Sequence, residues 1–135
     1  MLRLFGSQKA FFLACLDEME VRVRDTFGVA AAVDRPEALD RMGDAFRDLA
    51  SDGAIPGLWL RASALAREDK EVAARCRQLL AGVLDEASAL SGADSHALAD
   101  FLARGALVVF LQAIGADLSD GSAGAIGALL REDAR

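Results

Sequence analysis

The residues able to do chemistry are few and scattered. Cys15 and Cys76 are far apart in the chain, and His96 is the single histidine, so zinc-ligand spacing is absent. No nucleophile elbow, H-E-x-x-H helix, phosphate loop or dinucleotide-binding glycine pattern occurs. Asp117-Leu118-Ser119-Asp120-Gly121 has the opening of a calcium loop but not its closing glutamate. The expectation is therefore a protein that is not an enzyme and carries no metal or cofactor. What remains is softer chemistry. Met19, Met42, Phe46, Trp59 and Cys76 are adaptable or large apolar side chains, the types that line small-molecule sites. At helical spacing such residues more often form an ordinary core. Arg61 and Arg75 are read as solvated charges that could meet an anionic ligand at a pocket mouth, and His96 as an exposed first-turn residue.

Composition bounds the scaffold. The chain has 135 residues, enough for one hydrophobic core. It is 53% hydrophobic and 27% charged, far from the composition of disordered segments. Aromatics make up 6%, tyrosine is absent, and alanine and leucine recur, an alphabet that favours helices over strands. The formal net charge of −6 repels phosphate backbones, which argues against tight nucleic-acid binding by the chain alone. The longest charge-free stretch, 105–116, has 12 residues, fewer than a membrane span of about 20 requires. Ala10–Leu16 is too short for a secretory signal and is closed by Asp17. A cytoplasmic protein without membrane contact is expected.

The spacing predicts an all-α bundle of five or six helices. The first runs from Gln8 to Phe27, with Ser7 able to cap it, Gly28 able to stop it, and Phe12, Leu16, Met19, Val23 and Phe27 on one face. Val29–Val33 is either an extension of that helix or a buried turn. Asp34 and Glu37 form a capping box with Pro36 in the first turn, starting a helix that reaches Ser51 with Leu39, Met42, Phe46 and Leu49 inward. Pro56 opens a third helix through Ala66. A fourth extends from Asp69 to Leu90, and Gly92 ends it. After a short turn, Asp94 or Ser95 caps a fifth that reaches Ile114. The short turn predicts that the last two form an antiparallel hairpin. A tail, 116–135, holds a weak helix around Ser122–Arg131.

Gly105–Ile114 has no charge, and Gln112 is its one polar side chain. A helix apolar nearly all round needs cover on nearly all sides, and a second copy of the chain is the simplest source. Two hairpins would then form a four-helix bundle. The interface is expected at Leu80, Gly82, Leu84, Phe101, Gly105, Val108, Val109 and Gln112, with Gly82 and Gly105 letting backbones approach closely.

The stretch Leu2-Arg3-Leu4-Phe5-Gly6-Ser7-Gln8-Lys9-Ala10-Phe11-Phe12-Leu13-Ala14 resembles the end of the helix-turn-helix of TetR-family transcriptional regulators and the start of the helix that follows it. Phe5, Ser7 and Phe11-Phe12-Leu13 carry the likeness. The family's lysine directly follows the serine position, whereas here Gln8 stands there and Lys9 comes next. Phe101-Leu102-Ala103-Arg104-Gly105-Ala106-Leu107 is similar to the family's final long helix. The resemblance implies a homodimeric effector-binding and dimerisation domain over 8–115, with Met19, Met42, Phe46, Trp59 and Cys76 around an unidentified small-molecule effector. It makes 1–7 a remnant of a recognition helix, and the basic residues of the first ten, Arg3 and Lys9, a remnant of a DNA-facing edge. Met1 falls inside that helix, so DNA is expected as a partner only where the preceding helices are present. The alternative is a stand-alone helical ligand-binding or dimerisation module with no DNA-binding role.

Overall fold

The computed structural model describes residues 6–32 and 37–115, and every regular element among them is helical. Five α-helices follow in order: α1 (Gly6–Ala31), α2 (Ala38–Ala50), α3 (Ala54–Ala66), α4 (Lys70–Ser91) and α5 (Ser95–Ala113). Arg3, the proposed cap at Asp34, Pro36 and the tail 116–135 lie outside the described residues.

The later boundaries follow their local chemistry. Asp69 caps α4 by accepting the backbone N–H groups of Glu71 (2.9 Å) and Val72 (3.1 Å). Gly92 closes the helix at φ 67°, the left-handed conformation that suits glycine, and its N–H donates to the Ser88 carbonyl. Asp94 caps α5 through the Ala97 N–H at 2.9 Å. Other boundaries differ from expectation: Ser7 lies inside α1, which begins at Gly6, and α3 begins at Ala54, two residues before Pro56. Gly28 does not stop α1, which continues to Ala31 because Ala30 and Ala31 pack against the core and outweigh the roughly 1 kcal/mol helix penalty of glycine. Glu37, at the N-cap of α2, makes no side-chain capping hydrogen bond and instead pairs with Arg41 at 3.2 Å.

The face read for α1 is the buried one: Phe12, Leu16, Met19, Val23 and Phe27 join Met42, Ile55, Leu65, Val72, Cys76 and Leu79 in one core. α1 packs mainly on α4 and α2, α3 on α4 and α5, and α5 on α2 and α3. The expected packed hairpin is corrected here. α4 and α5 touch only slightly, because each finds its apolar partner on another helix. Their divergence leaves a wedge that α2 and α3 only partly fill.

Charges clasp α1 to α4. Arg75 binds Asp17 and Glu20, both at 2.7 Å, while Arg24 binds Glu20 at 3.0 Å and Glu86 at 2.9 Å. Arg75 is therefore a structural clasp rather than a greeter at a pocket mouth. Burial pushes the Glu20 carboxyl upward, but hydrogen bonds from Arg75 and Arg24 outweigh it and hold the group below its ordinary value. A lowered folded pKa contributes stability above the unfolded value and loses it as pH falls through the folded one. Glu20→Gln is expected to cost about 1 kcal/mol at neutral pH and almost nothing in strong acid. Urea midpoints for both chains across that pH range provide the check, and equal costs at both ends would refute the assignment.

Candidate ligand cavity

The wedge is a cleft of about 700 Å³, lined by side chains from all five helices. That volume lies in the roughly 300–1,000 Å³ range of small-molecule sites. Its aromatic wall is built by geometry that begins in single residues. Phe27, on the buried face of α1, meets Phe46 of α2 edge-on at 6.5 Å and Phe101 of α5 edge-on at 5.5 Å. Such T-shaped pairs bring the positive edge of one ring to the negative face of another. α2 and α5 also exchange features. A Cβ at Gly43 would lie 3.9 Å from the Phe101 ring, and one at Gly105 would lie 4.0 Å from the Phe46 ring. Each helix thus lays a ring over the other's glycine. Trp59 adds a fourth aromatic from α3.

The expected pocket residues divide. Met19, Phe46 and Trp59 line the cleft. Met42 does not, being fully buried in the core. Cys76 also sits in the core, where burial pushes its thiol upward against the opposing effect of Arg75 and Arg77. Cys15 is half-buried on α1, and Arg61 and His96 are exposed.

The residues expected at an interface divide as well. Leu80, Leu84, Phe101, Gly105, Val108 and Val109 line the same cleft from α4 and α5, with Val108 and Val109 buried by their own chain. No close approach depends on Gly105: a Cβ there would meet only the Phe46 ring of the same chain, at an ordinary contact distance. Gly82 lies beneath the clasp, where a Cβ would collide with the Glu20 carboxylate, so it serves the α1–α4 contact. Gln112 is half-buried near the end of α5, away from the cleft lining. Lys9 bonds Asp69 at 3.0 Å and Glu71 at 3.2 Å. These bonds raise its pKa, and its ammonium together with the Val72 N–H lowers that of Asp69. Lys9 therefore ties the start of α1 to the start of α4.

The polar part of the cleft was not anticipated. Asp40 and Asp44, one turn apart on α2, and Asp100 on α5 are exposed and line it, together with half-buried Arg47 and Arg104. In sequence these are ordinary charges at helical spacing, and only the crossing of α2 and α5 gathers them. Among the described residues no group of three or more His, Cys, Asp or Glu is placed to hold a metal ion.

The apolar half of α5 is covered unevenly. Val108 and Leu111 pack with Ala50, Phe46 and Leu107, whereas Phe110 is 54% and Ile114 65% exposed. Phe110 and Ile114 stand one turn apart, flanked by exposed Ala106 and Ala113. Among the described residues, α5 is also the one helix long and apolar enough to cross a membrane by length and composition. Its Asp100 and Arg104 line the cleft, and its valines pack inward. Comparison of the chain with protein-family models, with curated proteins and with solved structures finds no match.

Proposed function

We propose that this chain binds an apolar small molecule in the five-helix cleft and acts as the effector-binding, dimerising part of a TetR-like transcriptional regulator, a cytoplasmic homodimer. The observation that carries the reading is the composition of the cleft wall: α1 contributes Met19, Val23 and Phe27 to the same cavity as Trp59 and Phe101. α1 has 26 residues and so spans about 39 Å. A ligand that fits one setting of that wall better than another shifts the position of the rod, and only such differential affinity can move it. The acidity of the chain argues against tight DNA binding by these five helices alone.

The sole tryptophan, Trp59, lies in the cleft, so its emission reads occupancy directly. Titration with the neutral probe N-phenyl-1-naphthylamine is expected to quench it saturably, at one probe per chain, and to raise the thermal midpoint by linkage. Absence of saturable quenching would sink the cavity reading.

The dimer is assigned to the exposed α5 face, since a ring and a branched aliphatic chain one turn apart would otherwise stay in water. Phe110→Asp is expected to weaken self-association at least about tenfold, because it sets a charge in a desolvated contact. Sedimentation velocity over a concentration series measures this. An unchanged dimer would move the interface elsewhere, and a monomeric parent chain would remove the dimer altogether.

A further inference from the structure

The charges around the cleft set a preference among the molecules that could fill it. On one side α2 presents Asp40 and Asp44, and on the other α5 presents Asp100. All three are exposed, while the aromatic wall of Phe27, Phe46, Trp59 and Phe101 lies between the helices. Arg47 and Arg104 line the cleft too, each engaged in an interaction of its own, which leaves the carboxylates in excess by one. The chain as a whole carries −6, so the surrounding field has the same sign. Ring faces attract cations by their quadrupole, and they do so best where water is excluded. The three carboxylates are exposed, whereas both arginines are half-buried.

We infer that the cleft selects a flat, lipophilic aromatic cation, held by its rings against Phe46, Trp59 and Phe101 with its positive charge toward Asp40, Asp44 and Asp100. This rests on the cavity reading above and adds the charge of the ligand. No bond forms or breaks.

The test uses three tricyclic probes of nearly one shape: 10-methylacridinium, neutral 9-methylanthracene and anthracene-9-carboxylate. Each is titrated against Trp59 emission in the full chain at low salt. The cation is expected to bind about tenfold tighter than the anion, with the neutral probe between them. Combining Asp40→Asn, Asp44→Asn and Asp100→Asn should abolish the cation's advantage and leave the neutral probe's Kd unchanged. Because all three residues are exposed on helix surfaces, the variant is expected to keep the parent's helical signal and thermal midpoint, which circular dichroism checks.

The outcomes separate the two readings. If the neutral probe binds and the cation binds no tighter, the cavity stands and the charge preference falls. An anion bound as tightly as the cation overturns it in favour of Arg47 and Arg104. If none of the three binds, the cavity reading fails and takes this inference with it.

Discussion

Phe27→Ala is expected to destabilise the domain by about 3–5 kcal/mol, the range for removing a buried aromatic from a packed core. Phe27 is 2% exposed and is the ring that both Phe46 and Phe101 meet. Its loss removes two edge-to-face contacts as well as the apolar burial, and neither remaining ring can follow without leaving its own helix. Whole domains of this size are stable by only about 5–15 kcal/mol, so the variant should sit near the edge of folding. The thermal midpoint should fall by roughly 10–20 °C. Calorimetry is the direct measurement. A loss below about 1 kcal/mol would show that the three rings do not form the packed wall described.

Gly105→Met should have the largest effect on binding, with little effect on folding. A Cβ at this position meets the Phe46 ring at 4.0 Å, an ordinary contact, so the remainder of a flexible methionine side chain is directed into the cleft. It would occupy space the ligand needs. Affinity for N-phenyl-1-naphthylamine is expected to drop about 100-fold, equivalent to about 2.7 kcal/mol. Replacing a glycine inside α5 by a better helix former contributes up to about 1 kcal/mol in the opposite direction, so the thermal midpoint should stay within a few degrees of the parent. Gly105→Ala is the control: the same propensity gain with binding kept within a few-fold. Unchanged affinity in the methionine variant would place the ligand elsewhere.

Much of the scaffold was legible because its signals are local. The α1 stripe from Phe12 to Phe27 is a one-face pattern, and its five residues are the buried ones. Asp69, Gly92 and Asp94 announce their helix ends through hydrogen bonds within a few residues, and all three act as caps. Gly28 left the end of α1 open because a glycine signals a stop only when the following residues gain nothing from staying helical, and the burial of Ala30 and Ala31 decides for the extension. The cleft was harder to read for the same reason. A short turn after α4 says that α5 starts nearby, but which helix α5 lies against depends on long-range fit. Phe101, Gly105 and Val108 were expected at an interface between two copies, whereas within one chain they line the cleft beside α2, a neighbour that sequence offered no means of choosing. Asp40, Asp44 and Asp100 are separated by many residues and become a set only at the crossing.

The reciprocal ring-over-glycine crossing of α2 and α5 has a consequence for how this sequence is able to drift. Alanine fits at either Gly43 or Gly105 with ordinary contacts. A larger side chain at either position that cannot turn its end into the cleft, as a flexible methionine at 105 can, would press on the opposing ring and widen the crossing. Rigid, bulky substitutions there are therefore expected to be tolerated only in compensated pairs, 43 with 101 and 46 with 105.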